Sequence, residues 1–91
     1  MSFTSKPRIE QELALIHESI SLNRKAQLQN YDELDRIRDI FAERSNTLTD
    51  QERRTLGETE NQLEVEIWSL QSEEQMLWAE EARLEARKER G

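Results

Sequence analysis

The sequence contains few residues that could take part in chemistry, and His17 is its only histidine. One helical turn before it lie Leu13 and Ala14, so the Glu-x-x-His spacing of a helical metal site is missing. Glu10 lies two turns before His17 and Ser21 one turn after it, which is not the arrangement of a catalytic triad. The chain has no cysteine that could supply a thiolate ligand or a disulfide. We therefore predict no catalytic residue, no metal site and no cofactor, and we interpret His17 as a surface or boundary residue.

Three glutamates, Glu60, Glu74 and Glu81, fall on a row where a coiled coil prefers apolar side chains. A catalytic pair of carboxylates would need a cleft that raises a pKa, and a thin pair of helices offers no such cleft. We expect a structural role instead. In this interpretation the acids pair with bases of a neighbouring helix, such as Arg24 or Arg36, and fix the register at some cost in stability.

The two tryptophans are the residues best suited to bind a partner, because indole side chains are common at interface hot spots. Trp78 follows Leu77 at the edge of the leucine row described below, so we expect it in the core. Trp68 is turned by about 120° from that row and belongs to a second face of the same helix. Its two possible roles, burial inside a homodimer and contact with a different protein, both remain open.

Between Thr55 and Ala82 the sequence has eight glutamates and neither lysine nor arginine. Such a run is most often a solvated helix face, because glutamate is a good helix former. The run also forgoes the i,i+4 ion pairs that stabilise an isolated helix, which favours a role in binding a basic partner. The net charge of −7, whose excess lies in the second half of the chain, disfavours direct binding to nucleic acid or to anionic membranes.

We predict a partner-binding surface on this second, acidic face of the helix. It combines apolar side chains with flanking glutamates: Val65, Trp68, Met76, Ala79, Glu64, Glu66, Glu73 and Glu80. The first half of the chain has a thinner second row: Leu15, Leu22, Ala26 and Ile40. A helix that is apolar on two sides usually lies between neighbours. We therefore expect a homodimer that packs as a four-helix bundle, or a hairpin that docks on a partner.

Two long helices are the elements that must position these residues, because good helix formers dominate and the chain has two glycines and one proline. Five leucines recur at every seventh position, which is the heptad seam of a coiled coil. The other helix repeats apolar residues at steps of three and four. Together the two rows give the predicted core of the hairpin or dimer: Leu13, Ile16, Ile20, Leu34, Ile37, Phe41, Leu56, Leu63, Ile67, Leu70, Leu77 and Leu84.

We predict one helical-hairpin domain, 1–91, with helix 1 over about residues 7–45, a loop over 45–49 and helix 2 over about residues 50–89. Asn46 can adopt the left-handed conformation that ends a helix. Thr49 and Glu52 form a capping box that begins helix 2. Gly57 costs about 1 kcal/mol relative to alanine, so helix 2 could kink or break there.

The short loop makes the helices antiparallel neighbours. Folding the chain at the loop sets Leu13 beside Leu84 and places Asn23 opposite Glu74, so that a polar layer interrupts the middle of the seam. The predicted fold is all-α: a long antiparallel helical hairpin, similar to a coiled coil, that dimerises into a four-helix bundle.

No apolar run approaches the length of a membrane-spanning helix and the first residues lack an apolar leader, so we expect a cytoplasmic protein. We expect a non-enzymatic protein–protein interaction module, such as an adaptor, assembly factor or small chaperone. Its protein partner would have a basic surface. The alternative is an acidic inhibitor that blocks a nucleic-acid-binding protein by charge mimicry, such as a phage-encoded anti-defence protein. An enzyme is disfavoured, because we find no nucleophile or metal constellation.

Overall fold

A computed structural model describes residues 5–90, which form two long α-helices. Helix α1 is Ser5–Arg44 and helix α2 is Asp50–Arg90, with 40 and 41 residues. The described residues contain no β-strand, which confirms the predicted all-α helical hairpin. No helix among them is long and apolar enough to cross a membrane. Residues 1–4 and 91, which the predicted domain includes, lie outside the described part.

The connection between the helices is a hydrogen-bonded turn over residues 45–47. The carbonyl oxygen of Arg44 accepts hydrogen bonds from the amides of Thr47 at 3.0 Å and Leu48 at 3.1 Å. The Thr47 hydroxyl donates to the same carbonyl at 3.2 Å. No non-glycine residue of the described part has a positive φ angle, so the predicted left-handed conformation of Asn46 is wrong. The end of α1 does not need it, because the turn itself satisfies the Arg44 carbonyl.

Helix α2 begins with the predicted capping box, which the structure confirms. The amide of Thr49 donates to Glu52 Oε1 at 3.0 Å, and the amide of Glu52 donates to Thr49 Oγ1 at 3.1 Å. Two amide groups that the helix leaves without partners are thereby satisfied. The helix then continues through Gly57, so of the two possibilities left open there, a kink or a break, the break does not occur.

The chain divides into two compact units, and unit 1 combines the first half of α1, up to Lys25, with the second half of α2, from Ser72. Its apolar core consists of Ile9, Leu13, Ile16, Ile20 and Leu84, against which the half-buried Leu77 packs. Asn23 is the one polar residue of the described chain that is buried. No buried side-chain nitrogen or oxygen among the described residues lacks a hydrogen-bond partner, so this polar position is satisfied.

Unit 2 is Ala26–Gln71 and includes the turn between the helices. Its core consists of Leu34, Ile37, Leu63 and Ile67, against which Phe41 and Leu56 pack. Leu48 is also buried, at the end of the turn. The boundary between the units in α1 falls between Asn23 and Gln27, where the apolar row of the sequence becomes polar. The interruption of the seam therefore coincides with the division of the core into two clusters.

Candidate partner-binding site

The three glutamates of the leucine row all lie beside a base of α1. Glu74 accepts a hydrogen bond from Arg24 Nε at 2.9 Å, so Arg24, one of the two bases expected to pair with the seam glutamates, does so. Glu60 lies 3.4 Å from Arg38 Nε, so Arg38 rather than the predicted Arg36 pairs with the seam. Arg36 lies two residues earlier, about 200° around the helix, and therefore on a different side of α1.

The third seam acid, Glu81, contacts His17, with 2.6 Å between His17 Nε2 and Glu81 Oε2. The histidine is exposed and the glutamate is half-buried. The residues near His17 on its own helix give no sign of this partner, because Glu81 comes from the other helix. This contact is an ion pair when the imidazole is protonated.

Trp78 was predicted in the core, and the structure corrects this prediction. Its side chain is 43% exposed, and the guanidinium carbon of Arg24 lies 5.6 Å from the centre of its ring. The indole therefore lies partly in solvent, with a cation over its ring. The same arginine bonds Glu74, so three side chains form one contact between the helices of unit 1.

Half of the predicted partner-binding surface lies in unit 2. Trp68 is 70% exposed and Val65 is 66% exposed, and both flanking glutamates, Glu64 and Glu66, are also exposed. Three of these residues line a shallow depression together with Asn61: Glu64, Val65 and Trp68. Asn61 is not in the predicted surface. Its signal in the sequence is its position one helical turn before Glu64.

The other half of the predicted surface lies in unit 1. Met76, Ala79, Glu73 and Glu80 are all exposed on α2. Exposed apolar side chains also occur on α1 of this unit: Leu15 and Leu22. The predicted surface therefore consists of two groups, one in each unit.

The predicted core residues all lie inside one of the two units. Eight of them are buried: Leu13, Ile16, Ile20, Leu34, Ile37, Leu63, Ile67 and Leu84. The other four are half-buried: Phe41, Leu56, Leu70 and Leu77. Ile9 and Leu48 are buried although they were not in the predicted set.

The acidic surface of α2 is only partly neutralised. Arg38 Nη2 lies 3.1 Å from Glu64 Oε1 while its Nε contacts Glu60, so one base serves two acids. Four further glutamates, Glu58, Glu66, Glu73 and Glu80, are exposed and form no ion pair with a described residue. The exposed face of α2 therefore has an excess of negative charge.

No group of three or more His, Cys, Asp or Glu side chains among the described residues is placed to hold a metal ion. The chain matches no family model, no curated protein and no solved structure. The function therefore has to be inferred from the surface of the molecule.

Proposed function

We propose that this chain is a non-enzymatic protein–protein interaction module of the cytoplasm, such as an adaptor, assembly factor or small chaperone. Its binding surface is the acidic face of α2 that includes Trp68. The partner is a protein with a basic surface. The observation that carries this proposal is the exposure of Trp68 and Val65 beside Glu64 and Glu66.

An exposed indole on a regular helix is costly in water, because about 25 cal/mol of favourable transfer free energy is forgone for each Å² of apolar surface. Trp68 and Val65 lie three residues apart and therefore next to each other on α2. Neither side chain contributes to the buried clusters of its unit. An apolar contact of this kind, with a polar rim, is typical of the anchor of a protein interface.

The charge around Trp68 indicates the type of partner. Glu64 and Glu66 flank Val65, and α2 has no lysine or arginine between residues 55 and 82. A partner with basic side chains would neutralise this surface and would be attracted to it over a distance of about 10 Å at 0.1 M salt.

Self-association is the second part of the proposal. We place it on the exposed leucines of α1 in unit 1, Leu15 and Leu22, rather than on Trp68. A two-fold dimer brings the same patch of both copies together. A dimer formed through Trp68 would therefore place Glu64 and Glu66 of one copy against the same glutamates of the other. A second copy that covers the leucines would give the four-helix bundle.

A second candidate function, inhibition by charge mimicry, is favoured by the exposed glutamates that have no described counter-ion: Glu58, Glu66, Glu73 and Glu80. In this function the regularly spaced carboxylates replace the phosphates of a nucleic acid on a basic protein. The two candidates differ in what they require. A mimic depends on total charge, whereas an anchored module depends on the indole.

The test uses the wild-type chain as bait in a lysate of its own cells, followed by affinity measurements with the purified partner. We expect Trp68→Ala to weaken binding by about 30-fold or more, which corresponds to the 2 kcal/mol of an interface hot spot. Leu28→Ala is the matched control, because Leu28 is another exposed apolar residue of unit 2 and lies on α1.

Unchanged binding of Trp68→Ala would contradict the anchored module. If the double charge reversal Glu64→Lys, Glu66→Lys then abolishes binding, and DNA or RNA competes for the same partner, charge mimicry is the function. Salt sensitivity alone does not distinguish the two candidate functions, since both rely on the acidic surface of α2.

A further inference from the structure

Helix α2 contains the same pair of side chains twice. Glu64 precedes Trp68 by four residues, and Glu74 precedes Trp78 by four residues. Residues at this spacing are neighbours on one face of a helix. One pair lies in each unit, so the behaviour of one can be compared with that of the other.

In unit 1 the pair binds an arginine of the chain itself. Arg24 Nε donates a hydrogen bond to Glu74 Oε2 at 2.9 Å, and the guanidinium carbon lies 5.6 Å from the centre of the Trp78 ring. The carboxylate neutralises the charge and accepts this hydrogen bond, while the negative face of the indole attracts the cation. A glutamate and a tryptophan at this spacing thus contact the same guanidinium group.

In unit 2 no cation of the described residues lies over the ring of the pair's tryptophan. Among the described residues, Trp78 is the one tryptophan with such a contact, and Trp68 is more exposed than Trp78. Arg38 contacts Glu64 through one carboxylate oxygen, but the Glu64 side chain remains 51% exposed. A carboxylate has about four acceptor positions, so Glu64 can accept further hydrogen bonds.

The remaining residues of the depression also suit an arginine. Asn61 and Val65 line it together with Glu64 and Trp68. The amide oxygen of Asn61 can accept from a guanidinium, and Val65 offers apolar surface to the methylene groups of an arginine side chain. Lysine fits less well, because its ammonium group is more strongly hydrated and does not stack on an aromatic ring as a planar guanidinium does.

We propose that Glu64 and Trp68 form an arginine-binding site that takes an arginine side chain of the protein partner. The partner's guanidinium occupies it as Arg24 occupies Glu74 and Trp78. This inference rests on the proposed function, because it names the chemistry by which the Trp68 surface recognises its basic partner. A second copy of the chain is not the occupant, because a two-fold contact would oppose the glutamates around Trp68 to each other.

The test is an NMR titration of the full chain that follows the indole N–H signals of Trp68 and Trp78. The probe is a blocked tetrapeptide with two arginines, compared with otherwise identical peptides that contain lysine or the uncharged isostere citrulline. We expect the Trp68 signal to shift and saturate with the arginine peptide. Binding of the lysine peptide should be about threefold weaker, and the citrulline peptide should cause no shift. The Trp78 signal should stay in place, because Arg24 already occupies its site.

Three variants make the test specific. Glu64→Gln should weaken binding of the arginine peptide by about threefold. Glu85→Gln is the matched control, because Glu85 is an exposed glutamate of the same helix that has no described ion pair and lies outside the predicted partner-binding surface; it should bind as the wild type does. Arg24→Ala empties the internal site, so the Trp78 signal should then respond to the arginine peptide.

The inference is overturned if the citrulline peptide shifts the Trp68 signal equally, or if Glu64→Gln binds the arginine peptide as tightly as Glu85→Gln does. It is also overturned if Trp68→Ala lowers the mass of the assembly in solution, because a second copy would then cover the site.

Failure of the proposed function gives a different result. If the peptide binds as expected while Trp68→Ala leaves capture of the partner unchanged, the arginine site stands and the module does not. If Trp68→Ala abolishes capture but the peptide does not bind, the module stands and the arginine site does not.

Discussion

Single residues on the seam decide how the two helices align. Glu60, Glu74 and Glu81 occupy positions that would suit leucine, and each contacts a base or an imidazole of α1. In each pair the α1 side chain is more than half exposed, so solvent screens the interaction and each pair contributes about 0–1 kcal/mol. A slip of the helices by one turn would separate the charges. The pairs therefore specify the register more than they stabilise the fold.

Gly57 is the residue whose replacement should stabilise the protein most simply. It lies within continuous helix, and a Cβ atom built on it meets nothing within 4 Å. We expect Gly57→Ala to raise the free energy of unfolding by about 1 kcal/mol and the Tm by about 4–8 °C, because alanine is the better helix former. Thermal unfolding followed by circular dichroism measures the change.

The reverse substitution on the same helix provides the control. Ala82→Gly, at an exposed position of α2, should lower the free energy of unfolding by about the same 1 kcal/mol. A Gly57→Ala protein that is less stable than the wild type would show that α2 is not regular at this position.

At the scale of the element, capping hydrogen bonds and charged side chains determine where α2 begins, whereas the spacing of apolar residues specifies its middle. The capping box of Thr49 and Glu52 satisfies amides, and Asp50 adds a second acid to the first turn, where negative charge is favourable. The Arg53 side chain donates to the carbonyl oxygen of Ser45, which links α2 to the turn. The last turn contains Arg87, so both ends of α2 complement the helix dipole.

The capping box makes the stability of α2 dependent on pH. Hydrogen bonds from the amide and the hydroxyl of Thr49 lower the pKa of Glu52 below its ordinary value of 4.5. Because folding lowers this pKa, the carboxylate stabilises the fold above pH 4.5 and loses that contribution as the pH falls through the folded-state pKa. We expect Glu52→Gln to be less stable than the wild type at pH 7 and to approach it at pH 3. Urea unfolding at both values measures the difference.

Glu58→Gln is the comparison for this experiment, because Glu58 is an exposed glutamate of the same helix that forms no described ion pair. Its stability relative to the wild type should change little between pH 7 and pH 3. If Glu52→Gln and Glu58→Gln behave alike, the capping box does not couple protonation to folding.

At the scale of the whole molecule, the apolar core is thin. Ten apolar side chains of the described residues are buried, and they fall into separate clusters in the two units apart from Leu48. No large side chain among them is fully buried. A core of this size gives little stability against the conformational entropy of the chain, which favours additional burial by association.

The proposed homodimer should therefore show itself in the thermal stability. We expect the Tm to rise with protein concentration, because association of folded chains shifts the unfolding equilibrium by mass action. Light scattering should give twice the chain mass. The double substitution Leu15→Glu, Leu22→Glu should abolish both effects, whereas Leu28→Glu, an exposed leucine in the other unit, should preserve them. A Tm that is independent of concentration would rule out the dimer.

The apolar periodicity of the sequence was sufficient to predict two helices and one turn, and the residue types at positions 49 and 52 were sufficient to predict the capping box. Helical spacing and capping are local properties, so residues a few positions apart along the chain determine them. The pairing of Arg24 with Glu74 was also predictable, since one short loop leaves few registers in which both apolar rows meet.

The other contacts between side chains from different helices were decided only by the tertiary structure. Arg38 replaces Arg36, Glu81 contacts His17, and Trp78 lies under Arg24 rather than in the core. In each case the outcome depends on which long side chain of one helix reaches a particular position on the other. Spacing along a single helix does not contain that information, because a long cationic side chain can reach any of several acids once the helices pack together.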